Sequence, residues 1–129
     1  MVLVEDECLI EKESGLTSIW YPQGKYPEIK VVQKKEALSY YGVLNVNTGK
    51  CHLREFSRMV SKNTVDVLRG LERAYPGKEV LLLWDGAPWH RGEVRKYLAE
   101  PQKWQLEIMY FPAYHPDLNP QEHVWKEAR

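Results

Sequence analysis

The sequence predicts an α/β domain with a five-stranded mixed sheet and helices on its faces, and three observations support this. Residues 37–46 and 51–56 have strand-like composition and are joined by a turn sequence, which predicts an antiparallel hairpin. The apolar run at 80–84 has the length of a strand buried on both faces. Helical periodicity on either side of that run is typical of crossover connections in a parallel sheet.

The predicted elements can be taken in order from the N-terminus. In order, they are a strand at 2–4 that stops at acidic residues, an irregular excursion or ragged hairpin at 12–36, strands at 37–46 and 51–56, a helix from Ser61 or Asn63 to Tyr75, a strand at 80–84, a helix at 91–100, a strand at 106–111 and a helix from Pro120. Ser61 or Asn63 is expected to cap the first helix, and the Pro-Gly pair after Tyr75 to end it. This order matches the ribonuclease H-like fold.

Composition limits the classes of function. A chain of 129 residues is long enough for one domain with its own core. Its 18 basic and 18 acidic residues cancel, which argues against a protein that coats nucleic acid unaided. The charges are unevenly placed, with an acidic segment at 5–13 and a basic segment at 25–35. Two interpretations stay open: a negative pocket framed by positive surface, or ordinary solvated faces.

The sequence gives no sign of a membrane or an extracellular location. The longest apolar runs have five residues, which is too short to span a bilayer. Cys8 and Cys51 follow no metal-ligand spacing, and no secretory signal precedes them. We therefore expect both to be reduced thiols of a cytoplasmic protein.

Three acidic residues are predicted to meet at one edge of the sheet. Asp6 follows the first strand, and Asp85 follows the apolar strand at 80–84. If these strands are parallel neighbours, both side chains emerge at the edge where open α/β sheets bind ligands. Glu122 lies in the first turn of the last helix. Crowded carboxylates repel one another, and two Mg²⁺ or Mn²⁺ ions held there would suit phosphoryl transfer.

Each of these carboxylates also has a purely structural explanation. Asp85 is a suitable cap for the turn that follows it. Asp6 lies between two other acidic residues, and strand alternation cannot say which face is inward. Glu122 occupies the third position of a helix that begins at Asn119, where it would close a capping box. Spacing alone leaves both explanations open.

The four histidines do not indicate a zinc site. None is paired at helical spacing within a metalloprotease motif, and both cysteines are distant along the chain. His90 follows Asp85 by five residues. Three roles are open to it: a hydrogen bond to a phosphate, orientation of a water molecule on a metal ion, or a hydrogen bond within a loop.

Three motifs carry a resemblance to a known family. Residues 110–125, Tyr-Phe-Pro-Ala-Tyr-His-Pro-Asp-Leu-Asn-Pro-Gln-Glu-His-Val-Trp, resemble the third catalytic motif of DDE-superfamily transposases, in the mariner-related branch of bacterial insertion sequences. Residues 83–90, Leu-Trp-Asp-Gly-Ala-Pro-Trp-His, resemble the second motif, and residues 4–8 the first. Trp20 and Gly24 fit a Trp…Gly segment that is common in this branch.

The likeness covers nearly the whole chain, with two visible departures. Gly86 stands where the family often has Asn, and His115 where Ser is common. Neither departure removes a carboxylate. We therefore expect them to affect fine tuning more than activity.

The resemblance implies specific roles for residues of the three motifs. Asp6, Asp85 and Glu122 correspond to the catalytic and metal-binding residues, with His90 and Asn119 as auxiliary candidates. The implied cofactor is Mg²⁺ or Mn²⁺, as two ions, with no organic cofactor. The implied reaction is cleavage of DNA at transposon ends, followed by attack of the freed 3′-hydroxyl on target DNA.

The resemblance also implies an organisation and partners. Residues 1–129 would form one catalytic domain that lacks the N-terminal helix-turn-helix region of such transposases. The expected partners are transposon-end and target DNA and a second copy of the chain, without a membrane partner, at the nucleoid of a bacterium or archaeon. Two alternatives are an inactive or domesticated remnant that binds DNA or protein, and a structure-selective nuclease of the same fold.

Candidate DNA contacts come from basic and aromatic residues. Phosphate contacts flanking the acidic pocket are assigned to Lys25, Lys34, Lys35, Arg91 and Lys126. Stacking on unpaired bases, or packing in the core, is open to Trp20, Trp89, Trp104 and Trp125.

Overall fold

The computed structural model of the chain describes residues 1–11, 22–24 and 37–128. Most of the predicted irregular segment at 12–36 lies outside the described residues, together with Trp20, Lys25, Lys34 and Lys35. Among the residues that are described, no helix has the length and apolar character needed to cross a membrane.

Five strands form one mixed sheet. They are β1 (Val2–Glu11), β2 (Ala37–Asn45), β3 (Cys51–Phe56), β4 (Glu79–Trp84) and β5 (Gln105–Tyr110). Their order across the sheet is β3-β2-β1-β4-β5. β2 is antiparallel to both β1 and β3, whereas β1, β4 and β5 are parallel. The antiparallel half predicted from the hairpin therefore meets the predicted parallel half at β1.

Three helices connect or follow the later strands. They are α1 (Ser61–Ala74), α2 (Glu93–Ala99) and α3 (Gln121–Ala128), with short 3-10 turns at Pro88–His90 and Pro116–Leu118. The predicted side-chain cap of α1 is wrong, because the N-cap is Val60 and no side chain bonds the first turn. The amide of Asn63 instead donates to the Arg58 carbonyl oxygen, at 2.8 Å.

The second helix begins later than predicted. It starts at Glu93 because Gly92 interrupts the backbone with a φ of 61°, a left-handed conformation that favours glycine. The first strand also differs from its prediction, since it does not stop at the acidic residues. β2 supplies antiparallel partners for β1 as far as Glu11, whereas pairing with β4 ends at Val4 and Leu83.

The main core fills the space between one face of the sheet and helices α1 and α2. Leu82 and Trp84 of β4 are fully buried there, against Leu68 of α1 and Val94 of α2. The helical spacing of apolar residues in α1 thus turns one stripe toward the sheet. This packing fixes the position of β4 and of the acidic residue that follows it.

The opposite face of the sheet carries α3, which lies very close to β2. A Cβ atom at Gly42 would stand 2.3 Å from Nε2 of Gln121 and 2.6 Å from the ring of Trp125. Only glycine therefore allows α3 to pack at this distance. Gly42 pairs with Asp6 of β1, so this close contact also brings the start of α3 toward Asp6.

Candidate active site

Asp6 is a buried carboxylate in the middle of β1. It lies two residues beyond Val4, the last residue of β1 that pairs with β4. Its side chain is close to fully buried, with 9% of the residue exposed. The indole Nε1 of Trp125 donates a hydrogen bond to its Oδ2 atom, at 3.0 Å. The carboxylate therefore has a fixed orientation and is joined to α3.

Asp85 lies in the turn directly after β4. Its Oδ1 atom accepts the backbone N–H of Ala87 at 2.8 Å, so the predicted turn-capping role is present. The side chain is nevertheless 54% exposed, and it faces a cleft rather than the core. Capping the turn and facing a ligand site are therefore compatible roles for this residue.

Glu122 is held at the start of α3 by the cap of that helix. Asn119 caps α3 as predicted, because its Oδ1 atom accepts the N–H of Gln121 at 3.0 Å. The backbone N–H of Asn119 is bonded to the carbonyl oxygen of Pro116, at 3.0 Å. Glu122 therefore does not close the capping box that its position allowed, and its side chain lines the cleft.

One cleft of about 300 Å³ contains all three predicted carboxylates. Asp6, Asp85 and Glu122 line it together with residues of the loop before α3. Carboxylate oxygens of Asp6, Glu7 and Asp85 lie within 4.8 Å of one another, a spacing that could hold a metal ion. Within the described parts of the chain, Glu122 belongs to no such group of three.

The electrostatics of the cleft favour a bound cation. Burial, together with the nearby carboxylates of Glu122 and Glu7, raises the pKa of Asp6 to about 6, although the hydrogen bond from Trp125 acts in the opposite direction. A divalent cation would relieve both the desolvation and the repulsion. Oxygen ligands of this kind are the ones that Mg²⁺ and Mn²⁺ prefer. The donor set therefore fits the predicted ions.

Glu7 is a functional candidate that the sequence did not single out. Its side chain is 4% exposed, and its Oε1 atom accepts hydrogen bonds from Nε1 of Trp89 and from Nε2 of His90, the latter at 2.9 Å. Both donors belong to the short turn that follows Asp85. A Glu directly after a strand Asp was the only sequence signal for this role.

His90 is buried rather than facing the cleft, with 3% of the residue exposed. Its ring stacks on Trp84 at 4.1 Å between centroids and 7° between planes, and Nδ1 contacts the Asp85 carbonyl oxygen at 2.9 Å. Burial alone lowers the pKa of His90, but the nearby carboxylates of Glu5 and Glu7 outweigh it and raise the pKa to about 10. The described contacts thus occupy both ring nitrogens with protein groups.

Glu5 is the least solvated acid among the residues that the structure describes. It is 2% exposed, and its Oε2 atom lies 3.1 Å from Nε2 of His90. The Nε2–H group of His90 donates its hydrogen bond to Glu7. Among the described residues, no donor forms a hydrogen bond with either carboxyl oxygen of Glu5. Burial raises the pKa of Glu5 to about 8. A neutral carboxylic acid is therefore the favoured form of Glu5 at neutral pH.

The predicted DNA contacts receive different environments. Arg91 and Lys126 are both exposed, but Arg91 borders a separate depression beside Trp89 and α1. Lys126 follows Glu122 by one helical turn and shares its side of α3. Trp104 and Trp125 are buried, which agrees with packing in the core, the alternative to base stacking.

Tyr114 is an exposed aromatic residue that the sequence did not single out. It lies in the loop that lines the acidic cleft and is 98% exposed. Its φ of 64° is positive, which is uncommon for a residue other than glycine. Its place between two prolines, Pro112 and Pro116, was the available sequence signal for an unusual backbone conformation at this position.

The sheet order is that of the ribonuclease H-like fold, and the acidic cleft lies at the edge of this sheet. A family model described as DDE superfamily endonuclease matches residues 1–129, and the chain belongs to this family. It is thus a member of a family of endonucleases, as the three motifs predicted. A comparison with curated proteins finds no sequence match.

Solved structures with the same fold include transposition and integration complexes. The Mos1 mariner paired-end complex with Mn has a TM-score of 0.62 at 18% identity, and the alignment covers 98% of this chain and 40% of the Mos1 chain. The Mos1 transposase paired-end complex with left transposon end has a TM-score of 0.59 at 17% identity, with the same coverage. A simian T-cell lymphotropic virus intasome bound to the PP2A regulatory subunit B56 gamma has a TM-score of 0.64 at 10% identity, with 98% and 37% coverage. This chain therefore spans about two-fifths of these proteins, and the likeness establishes the fold.

Proposed function

We propose that residues 1–129 form the catalytic domain of a transposase. The domain would cleave phosphodiester bonds of DNA and join the freed 3′-hydroxyl to target DNA. The observation that carries this proposal is the cleft in which Asp6, Asp85 and Glu122 come together from β1, the turn after β4, and α3. Membership of a DDE endonuclease family supports the same reaction.

The proposed cofactor is a pair of Mg²⁺ or Mn²⁺ ions held by Asp6, Asp85 and Glu122. When bound, such ions supply Lewis-acid stabilisation of phosphate charge and lower the pKa of the attacking water or hydroxyl. Trp125 keeps the Asp6 carboxylate oriented, and Asn119 fixes the start of the helix that carries Glu122. The chain's own contribution is thus a rigid carboxylate frame.

The proposed substrate is DNA, at transposon ends and at the target site. The exposed ring of Tyr114 at the cleft suits stacking on an unpaired base, and Lys126 suits a phosphate contact. A homodimer is the proposed active form, and the bacterial or archaeal nucleoid the proposed location. Mos1, with the same fold, forms a paired-end complex with a transposon end.

The direct test is nicking of supercoiled plasmid in the presence and absence of Mn²⁺. We expect the wild type to nick only with metal, and Asp85→Ala to be inactive. Asp85→Ala removes a cleft carboxylate whose side chain is 54% exposed, so the variant should keep the fold. Equal nicking by both proteins would contradict the proposal.

Thermal unfolding and substrate choice separate this function from its alternatives. Ligand binding to the folded state raises its stability, so millimolar Mn²⁺ should raise the Tm of the wild type. An inactive remnant would show no metal effect. A structure-selective nuclease would prefer hybrid or branched substrates over plain duplex.

A further inference from the structure

We propose that His90 is a positioning residue that, through Glu7, holds the segment carrying Asp85 against β1. In this way it would set the spacing between Asp6 and Asp85. The inference rests on the proposed function, because it assigns to His90 the alignment of two carboxylates that share a cation.

The backbone alone does not hold the two carboxylates together. Parallel pairing between β1 and β4 ends at Val4 and Leu83, two residues before each of Asp6 and Asp85. Beyond that point β1 continues along β2, whereas the segment that follows β4 turns away after Trp84. The end of β4 is held by β5, where the Trp84 carbonyl oxygen accepts the N–H of Phe111 at 2.9 Å. Among the described residues, hydrogen bonds across the gap toward β1 come from the side chains of Trp89 and His90.

The imidazole of His90 spans the gap between these two segments. Nδ1 lies 2.9 Å from the carbonyl oxygen of Asp85, and Nε2 lies 2.9 Å from Oε1 of Glu7. One rigid ring therefore connects the backbone of one candidate ligand to the residue next to the other. A longer, flexible side chain would connect the same atoms without setting their distance.

The ring itself has little freedom to move. It is stacked on Trp84, which is fully buried, and the residue is 3% exposed. Trp89 donates a second hydrogen bond to the same oxygen of Glu7. Residues that orient metal ligands in this way typically contribute about 10- to 100-fold to metal affinity.

In this inference Glu7 acts as a hydrogen-bond acceptor, although its carboxylate also lies within 4.8 Å of those of Asp6 and Asp85. Its Oε1 atom already receives both hydrogen bonds from the turn at Pro88–His90. Glu7→Gln keeps a carbonyl oxygen for these donors and removes the charge. Glu7→Ala removes both, so the pair of variants separates positioning from direct coordination.

The test measures Mn²⁺ affinity of the full chain by calorimetric titration, at a temperature where every variant is folded. We expect His90→Ala and Glu7→Ala to bind Mn²⁺ about 10- to 100-fold more weakly than the wild type. Glu7→Gln should stay within about 3-fold, since the acceptor is retained. Trp89→Phe removes a single donor and should give an intermediate loss, which provides a second route if His90→Ala does not fold.

His52 provides the matched control. It is also a histidine that bridges two elements, with Nε2 at 2.7 Å from the Tyr75 hydroxyl and an edge-on ring contact at 5.7 Å. It lies in β3, away from the acidic cleft. His52→Ala should lower the Tm and leave Mn²⁺ affinity unchanged.

Three outcomes would overturn the inference. The first is wild-type affinity in His90→Ala, because the clamp would then be unnecessary. The second is an equal loss in Glu7→Gln and Glu7→Ala, which would make Glu7 a ligand. The third is an equal loss in His52→Ala, which would show a general effect of stability. A wild type that binds no Mn²⁺ would instead refute the proposed function, and this inference with it.

Discussion

Three consecutive acidic residues on β1 occupy two very different environments. Asp6 faces the cleft that Asp85 and Glu122 share, on the side of the sheet that carries α3. Glu5 and Glu7 face the opposite side, beneath the turn that carries His90. The first environment gathers three carboxylates at an open cleft, where His115 is among the lining residues and Oδ1 of Asp85 lies 3.3 Å from Nδ1 of His90. The second environment surrounds its carboxylates with indole and imidazole groups.

The difference shows how similar side chains acquire separate roles from strand geometry alone. Because successive residues of a strand point to opposite faces, Asp6 leaves β1 on the other side from Glu5 and Glu7, although an oxygen of Glu7 lies within 4.8 Å of oxygens of Asp6 and Asp85. The cleft side is suited to an exchangeable cation. The buried side is suited to fixing distances. A substitution on one face of β1 should therefore leave the other face in place.

The largest effect is expected from Asp6→Asn. Burial and the charge of Glu122 disfavour the ionised form of Asp6, so removing its charge should raise the Tm of the metal-free protein by a few degrees. The same change should lower Mn²⁺-dependent nicking by more than about 100-fold, since it removes a ligand rather than a supporting group. Plasmid nicking and thermal unfolding without metal test the two effects. A lower Tm would show that the acids of the cleft do not repel one another.

Gly42→Ala should have the next largest effect, and it acts on the cleft through α3. The added Cβ would overlap Gln121 and Trp125, and overpacking of this kind typically costs about 1–3 kcal/mol. Displacement of α3 should also weaken Mn²⁺ binding, because Glu122 moves with it. Urea unfolding and metal titration provide the measurements.

Gly70→Ala is the control for that substitution. A Cβ at Gly70 would meet only the end of the Arg54 side chain, at 3.3 Å. Alanine in a helix interior is typically favoured over glycine by about 0.5–1 kcal/mol, so this variant should be slightly more stable than the wild type. Equal destabilisation by both changes would contradict the tight packing of α3.

Tyr114→Ala should weaken DNA binding at the cleft without changing the stability of the protein. The ring is 98% exposed and contributes no core packing, so the free energy of unfolding should stay within about 0.5 kcal/mol. Binding of single-stranded DNA should weaken about 5-fold, because a base-stacking contact is lost. Fluorescence anisotropy with a labelled oligonucleotide measures this loss, and Tyr114→Phe should retain wild-type affinity.

The smallest effect is expected from Glu5→Gln, on the buried side. Burial favours the neutral form of Glu5, so a neutral amide of the same shape replaces it with little change in charge. The Tm should change by less than about 3 °C, and Mn²⁺ affinity by less than about 2-fold. Thermal unfolding and titration provide the values. A large loss of metal affinity would assign Glu5 to the cation site and end the contrast with Asp6.

The sheet was predictable because each of its signals is local. Apolar runs, the turn at 47–50 and the helical stripe of α1 are properties of neighbouring residues, and the parallel half follows from crossover connections. Asp85 and Glu122 were also within reach, since each lies where a recognisable element ends or begins. Their convergence was expected from topology, and their assignment as ligands stays a prediction.

Other features depend on contacts that no local pattern encodes. The N-cap of α1 is an apolar residue, Val60, which sequence preferences disfavour at that position. The extent of β1 is set by its antiparallel partner, far along the chain. His90 and Glu7 are separated by 83 residues and meet only in the folded sheet. Strand alternation placed Glu7 on the opposite face of β1 from Asp6, but it could not show that both faces of β1 are covered.

The hydrogen bond from Trp125 to Asp6 couples the packing of α3 to the binding of a cation at Asp6. A single carboxylate anchors the final helix and also contributes to the place where a divalent ion would enter. Thermodynamic linkage then requires that whatever steadies one of these states shifts the population of the other. Binding of the ion and packing of α3, which carries Glu122, would therefore behave as one cooperative transition.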